Sequence, residues 1–276
     1  MTFSATPKYI LGTNIMDAKE RNWNYCTNHL LNWHGIWTRY TPVGDVKESF
    51  QSLRSFKSNP EKTKIVHTNT YRYANGESKQ ESWEFNFLSN SLDNGLFHPS
   101  RETMRGYFLA SGHAIWATVK LKPNSYFGIE LFFRYEDLRH SVGIVYDENG
   151  NLFHIANIRE DCNGFPSKYW SDELNQLPER DFSGNWQGIS ITITPDLKIS
   201  EPIVTQFNWH RSGHKYYYLP DGVSVNCPSS ISIGTPFSLI ANWLINHYEM
   251  YQLIANYDEL GVFSSLTLET FLISKA

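Results

Sequence analysis

Gly35-Ile36-Trp37 and Gly184-Asn185-Trp186 each open a stretch that closes on a matching hairpin phrase. The first closes on Gly143-Ile144-Val145-Tyr146-Asp147-Glu148-Asn149-Gly150. The second closes on Leu253-Ile254-Ala255-Asn256-Tyr257-Asp258-Glu259-Leu260-Gly261. A Gly-x-Trp opening, a run of short strands and a Tyr-Asp-Glu turn before the last strand together describe one antiparallel barrel. Their recurrence in the same order predicts two barrels in tandem. Small closed barrels are filled by side chains or hold one small ligand, so the expected site is an interior one.

The intervening sequence reads as strand, turn, strand. Asn75-Gly76 and Asn149-Gly150 are two-residue hairpin signals, and Lys122-Pro123-Asn124-Ser125 separates two further β-rich runs. About eight strands are expected in the first module and seven in the second, the latter at 187–194, 203–209, 216–219, 223–225, 237–243, 248–256 and 262–273. Residues 1–14 read as an irregular arm. Asp17 is placed to cap a helix running to about Trp33, with Trp23, Cys26, Leu30 and Leu31 near helical spacing. Residues 159–182 lose the strand rhythm and read as a linker with a short helix near Trp170 to Leu177. The expected modules are therefore 1–165, the helix plus first barrel, and 178–276, a second and smaller barrel.

Composition agrees with an all-β chain and narrows its partners. Among 276 residues there are nine Trp, sixteen Tyr and seventeen Phe, types that suit half-buried pleated surfaces. A formal net charge of −4, with no basic face to offset it, argues against nucleic acid and against a polybasic membrane contact. Cys26, Cys162 and Cys227 are odd in number and widely spaced, as in a reducing compartment. With no signal-peptide pattern and no apolar run long enough to span a bilayer, the expected location is the cytoplasm.

Several phrases resemble a cyanobacterial family long labelled a domain of unknown function (DUF3598-like) and placed among the calycins, the lipocalin-like barrels. They are Trp33-His34-Gly35-Ile36-Trp37-Thr38-Arg39-Tyr40 with Gly44, Thr68-Asn69-Thr70-Tyr71, Gly128-Ile129-Glu130-Leu131, Arg139 before the first Tyr-Asp turn, and Ile158-Arg159-Glu160. In the second half they are Ser183-Gly184-Asn185-Trp186-Gln187-Gly188, Leu219-Pro220-Asp221-Gly222-Val223 and Tyr257-Asp258-Glu259-Leu260-Gly261. His140 stands where the resemblance would put a second Arg beside Arg139. The resemblance implies two tandem antiparallel lipocalin-like barrels with a short N-terminal helix lying across the base of the first. It also implies that Trp37 and Trp186 plug the closed ends. Similar calycins include bilin lyases, carriers of retinoids and fatty acids, and cyclases of secondary metabolism such as that of the scytonemin pathway.

Glu130, Arg139 and His140 are the candidate catalytic group. An inward Glu in an apolar chamber would have a raised pKa and act as acid or base, Arg139 would clamp a ligand carboxylate, and His140 would move a second proton. The alternative is a structural Glu–Arg pair. Tyr71, Tyr73, Trp83, Trp116, His113 and Arg159 are the candidate ligand-binding residues, core packing being the competing role. Adjacent strand residues face opposite sides, so Arg159 and Glu160 cannot both enter one cavity; one is expected at the barrel mouth and the other in solvent. His210 and His214 have metal-like spacing, but Gly213 and the following tyrosines argue for a loop and no further ligand is adjacent, so no metal is expected. No phosphate loop, nucleophile elbow or paired CxxC motif is present, and no cofactor is implied. The leading expectation is binding of a small apolar or aromatic metabolite. A cofactor-independent cyclase or isomerase in the first barrel is the alternative, and a bilin lyase-like or assembly role, including a homodimer through the second module, is the third.

Overall fold

Alternation of inward and outward side chains runs through nearly all of the chain, which a computed structural model describes for residues 16–273. The arm expected at residues 1–14 lies outside the described residues. The described residues are 55% strand and 6% helix, with a short N-terminal helix and two barrel-like sheets. Helix α1 (Ala18–Cys26) and a 3₁₀ turn (Thr27–His29) precede the first sheet. Its strands are β1 (Asn32–Tyr40), β2 (Val46–Ser58), β3 (Lys64–Arg72), β4 (Ser78–Asn86), β5 (Ser91–Leu92), β6 (Gly95–Phe97), β7 (Met104–Phe108), β8 (Ala114–Thr118), β9 (Phe127–Tyr135), β10 (Leu138–Tyr146) and β11 (Leu152–Asp161), with helix α2 (Phe87–Asn90) between β4 and β5. The second sheet contains β12 (Trp186–Ile193), β13 (Ile203–Gln206), β14 (His214–Tyr218), β15 (Val223–Pro228), β16 (Phe237–Asn246), β17 (Glu249–Tyr257) and β18 (Phe263–Ile273). All pairings are antiparallel, in the orders β4-β3-β2-β1-β11-β10-β9-β8-β7-β6-β5 and β13-β12-β18-β17-β16-β15-β14.

Two local expectations are corrected. The N-terminal helix ends at Cys26 rather than near Trp33, because Asn32 already begins β1, and the Asp17 side chain makes no cap hydrogen bond. Residues 162–185 form no helix. The short α1 still closes the base of the first barrel. Trp23 Nε1 donates to Lys62 O at 2.7 Å, Asn22 Nδ2 donates to Gly106 O at 3.1 Å, and Phe108 N donates to Asn22 Oδ1 at 2.9 Å. One buried amide thus ties the helix to β7 from both its donor and its acceptor end. Trp23 packs beneath Ile65, Phe85, Leu96, Phe108, Ala114 and Phe132.

The repeat is real, but its register is not the one suggested by Gly-x-Trp. Tyr146 pairs with Leu152 and Tyr257 with Phe263 at the two hairpins, and at the same depth Tyr40 pairs with Ile155 and Ile193 with Leu266. Followed back along each strand, that match sets Trp33 against Trp186 and Gly35 against Gly188. The shared motif is Trp-x-Gly: Trp33-His34-Gly35 and Trp186-Gln187-Gly188. Both indoles act alike, Trp33 Nε1 donating to His29 O at 3.0 Å and Trp186 Nε1 to Phe182 O at 3.2 Å, each four residues back. Both glycines allow a close crossing. A Cβ on Gly35 would stand 2.8 Å from Ser52 Oγ and 2.9 Å from Glu160 Cγ, and one on Gly188 would stand 2.4 Å from Phe271 Cδ1.

The two barrels meet through reciprocal contacts. Leu121 N donates to Gly261 O and Ile231 N to Gly150 O, both at 2.8 Å. Tyr257 Oη donates to Thr118 O at 3.0 Å, and Tyr146 Oη to Pro228 O at 2.9 Å. Bridges pair Lys120 with Val262 and Asn151 with Ser230. Each contact has its partner with the modules exchanged, the pattern of an approximate twofold axis. Phe127, Tyr257, Phe237 and Tyr146 cluster there, and one continuous apolar core draws residues from both sheets. One face of β8–β11 is therefore interface, which leaves the other face for the interior of the first barrel.

Candidate functional site: a chamber inside the first barrel

The inner faces of β1–β4 and β7–β11 surround a cavity of about 1030 Å³. Period two decides which residues reach it. β1 supplies Trp37 and Arg39, β2 Arg54 and Phe56, β3 Ile65, His67, Asn69 and Tyr71, and β4 Glu81, Trp83 and Phe85. On the far wall Trp116, Glu130, Gly143 and Ala156 stand side by side on successive strands. Gly128, Gly143 and Ala156 keep this wall low. A Cβ added to Gly128 would meet only Val145 Cγ2 at 3.5 Å and Ile144 O at 3.6 Å. Trp37, Phe56, Tyr71, Trp83 and Trp116 remain only half-buried, because they face this space rather than one another's backs.

A charged network crosses the chamber. Arg139 donates from Nε to Glu160 Oε2 at 2.7 Å and from Nη2 to Glu160 Oε1 at 3.0 Å. Arg54 Nε lies 3.2 Å from Glu160 Oε1, and Arg54 Nη2 donates to Glu130 Oε1 at 2.8 Å. Ser141 Oγ donates to the same Glu130 oxygen at 3.0 Å. Both guanidinia also lie over rings, Arg54 4.8 Å from the Trp37 centroid and Arg139 4.5 Å from that of Trp33. Burial alone would push the Glu130 carboxyl up; Arg54 and Ser141 more than offset it and leave it below the ordinary carboxylate range. The side chains of Glu160, Arg139 and Arg54 are 0, 1 and 4% exposed, while that of Glu130 is 22% exposed. Glu130 is thus the most exposed member of a network of which Arg54 and Arg139 also line the chamber.

The wall has other polar features. Burial, with Arg54 and Arg139 nearby, holds the His67 ring neutral, and burial draws His98 down to about 4. His67 stacks on Phe56 at 4.0 Å between centroids. Trp37 Nε1, Trp83 Nε1, His67 Nε2 and Asn69 Oδ1 are buried without a protein partner. Buried polar atoms nearly always find a partner, so a polar ligand or ordered water is expected along this wall. Cys26 borders the base of the chamber, and burial pushes its thiol up to about 12, far from a thiolate nucleophile.

The residues named from sequence divide cleanly. Tyr71, Trp83, Trp116, Glu130 and Arg139 line the chamber. Tyr73 lies beside it, against Phe50 at 4.9 Å. His140 is a correction: it faces away from Glu130 into the module interface, donates from Nε2 to Asn157 Oδ1, and packs against Trp170 and Trp243. Its neighbour Arg139 points inward, so alternation alone separates the two. His113 is likewise outside the chamber, in the turn before β8, with its ring on Phe133 and Tyr251. Arg159 also faces the interface, where Nη1 donates to Asp221 Oδ2 at 2.6 Å and to Ser171 O at 2.9 Å. Glu160 takes the opposite side, as the pleat requires, but is fully buried rather than solvated. The expected raised pKa of Glu130 and the Arg139 clamp are also corrected, because Arg54 neutralises the first and Glu160 occupies the second. Trp37 lines the chamber rather than plugging its end. Among the described residues no group of three or more His, Cys, Asp or Glu could hold a metal ion, and His214 instead bonds through Nδ1 to Asn226 Oδ1.

Arg54, His67 and Asn69 stand in no catalytic or binding motif of the sequence. Their signal was alternation: Phe50, Ser52, Arg54 and Phe56 share one face of β2, and a cation on an otherwise inward face needs a buried anion.

Fold and site together define an antiparallel double-barrel protein with a chamber in its N-terminal half. The family described as "Domain of unknown function (DUF3598), N-terminal" matches residues 19–165, and the chain belongs to that family. Residues 206–271 match the C-terminal domain of "Biogenesis factor required for ATP synthase 1". A DUF3598-family protein of unknown function from Nostoc punctiforme has the same fold, with a TM-score of 0.71 at 20% identity over 92% of this chain and 99% of that one. The S-type phycobiliprotein lyase CPES from Guillardia theta gives a TM-score of 0.35 at 12% identity, over 52% of this chain and 92% of that one. Kievitone hydratase from Nectria haematococca gives 0.22 at 9% identity, over 90% of each chain. No curated protein matches.

Proposed function

We propose that this protein binds a small, largely aromatic or apolar metabolite inside its N-terminal barrel, in the manner of the lipocalin-like carriers, and does so in the cytoplasm. The observation that carries the reading is the chamber of about 1030 Å³ walled by half-buried Trp37, Phe56, Tyr71, Trp83 and Trp116. Ligand pockets typically span ~300–1,000 Å³ and combine apolar walls with a few polar groups. Burying roughly 300 Å² of apolar ligand surface contributes about 7 kcal/mol, much of which the loss of translational freedom cancels. Rings alone therefore hold a ligand weakly, and the Glu130 network supplies the additional anchor.

The cyclase or isomerase reading required Glu130, Arg139 and His140 to converge on one substrate. His140 lies outside the chamber and Arg139 is engaged with Glu160, so that acid–base group is not assembled and the reading loses its support. Self-association is a second reading, favoured by Ile189, Val204 and Leu272, which are exposed on one face of β13, β12 and β18. Sedimentation at two concentrations tests it; a monomer at both would remove it.

The binding reading is tested with N-phenyl-1-naphthylamine, a neutral probe whose emission rises in apolar surroundings. Wild type should bind with saturable enhancement and quench its own Trp emission. Gly128→Leu, whose Cβ meets only ordinary contacts at 3.5 Å and beyond and whose backbone needs no positive φ, should weaken binding at least tenfold while leaving the melting temperature nearly unchanged. Equal binding by the two proteins would place the probe elsewhere and remove the reading.

A further inference from the structure

The chamber has a polarity that its aromatic walls do not reveal. Its two buried guanidinia are turned toward protein carboxylates: Arg139 is bidentate on Glu160, and Arg54 spans Glu160 and Glu130. To reach either of these two guanidinia an anionic ligand would have to displace Glu160, whose side chain is wholly buried; Arg39, paired with Glu48, and Arg101 also line the chamber. The position open to a ligand is on Glu130. Its Oε1 already accepts from Arg54 and Ser141, whereas Oε2 accepts no hydrogen bond from any described residue. Opposite Glu130 on the two neighbouring strands stand Trp116 and Gly143. The missing side chain at Gly143 leaves the approach open, and the indole of Trp116 supplies a flat surface beside it.

Resting on the ligand-binding reading, we propose that Glu130 Oε2 is the anchoring acceptor of the chamber and that its ligand is an aromatic or heteroaromatic molecule bearing an N–H donor. Arg54 and Ser141 hold the carboxylate charged and fixed in direction, so the ligand meets a preorganised acceptor and the protein reorganises little on binding. A charged acceptor in a chamber of low dielectric makes a stronger hydrogen bond than a neutral one and discriminates sharply against a ligand lacking the donor. An ether, a hydrocarbon or a carboxylate of the same shape leaves Oε2 unpaired or repels it.

The test compares N-phenyl-1-naphthylamine with 1-naphthyl phenyl ether, which replaces N–H by oxygen at nearly constant shape, in wild type, Glu130→Gln and Gly128→Leu. Wild type should prefer the amine by about tenfold or more, the usual range for a hydrogen bond to a charged group. Glu130→Gln should cut that preference below about threefold, mainly through weaker amine binding. The wild-type preference is read first, so the proposal stays exposed to failure even if Glu130→Gln folds poorly. Tight binding of both probes without preference, still blocked by Gly128→Leu, would overturn the donor assignment and leave the ligand-binding reading intact. Preference for the ether would do the same. Failure of both probes to bind wild type would overturn the ligand-binding reading and the donor assignment with it.

Discussion

A carboxylate placed among tryptophans and phenylalanines needs neighbouring cations to offset its desolvation, and in the first barrel two arginines face two glutamates. Glu160 is held at both oxygens by Arg139 and approached by Arg54; Glu130 is held at one oxygen by Arg54 and Ser141. Removing one member of such a network strands the others. Arg54→Leu should therefore destabilise the protein by about 3–5 kcal/mol in urea titration, the range for breaking a buried pair. A loss under about 1 kcal/mol would mean that the network is solvated and the chamber wet throughout. The folded pKa of Glu130 is depressed, so its share of stability is present above the unfolded carboxylate value of about 4.3 and is lost as pH falls through the folded value. Part of this site was legible in the sequence. Glu130, Tyr71, Trp83 and Trp116 could be named because inward acids and aromatics stand out against strand alternation. Arg54 could not be paired in advance, since its partners come from strands far along the chain and only barrel closure brings them across.

At the scale of the strand, the two modules share a device: a Trp donating four residues back and a Gly that lets the last strand cross closely. Gly35→Ala should cost about 2 kcal/mol, because its Cβ would meet Ser52 Oγ at 2.8 Å and Glu160 Cγ at 2.9 Å and the ion network prevents Glu160 from moving. Gly188→Ala should cost at least as much, since its Cβ would meet Phe271 Cδ1 at 2.4 Å and the backbone Thr270 O at 2.7 Å. Thermal melts of the two variants measure both effects, and unchanged melting temperatures would show that these crossings yield freely. The repeat itself was visible from its hairpins, but the Gly-x-Trp register was not the structural one. Trp33 and Trp37 flank the same Gly35, and only strand pairing decides which of them matches Trp186. The N-terminal helix was read as too long for a related reason. Trp33 continues the apolar spacing but belongs to β1, and sheet pairing overrides helical periodicity.

Across the whole molecule the approximate twofold contact joins the two modules through one shared apolar core, which predicts that they unfold together. Denaturation followed by Trp fluorescence and by far-ultraviolet circular dichroism should give one coincident transition, and two separated transitions would contradict this. The same interface sets an acid limit. Burial holds the His140 ring neutral down to about 3, whereas an unfolded histidine takes its proton near 6.5. The unfolded chain therefore binds more protons below pH 6.5, and stability complete above that value should fall by up to about 1.4 kcal/mol per pH unit from this residue alone. His140→Asn should flatten the slope between pH 6.5 and 4. His140 and Arg159 drew attention as catalytic or ligand-binding candidates, yet their chemistry serves this contact, because the pleat turns each of them away from its inward neighbour. Ligand binding in the chamber is the central proposal. The most direct test is the native mass of wild type and Gly128→Leu after incubation with a metabolite extract of the organism that produces the protein. Wild type should carry a few hundred daltons beyond its 32.0 kDa chain, as one drug-sized ligand would add, and Gly128→Leu should not. Bare chain mass for both proteins, or the same adduct on both, would contradict it.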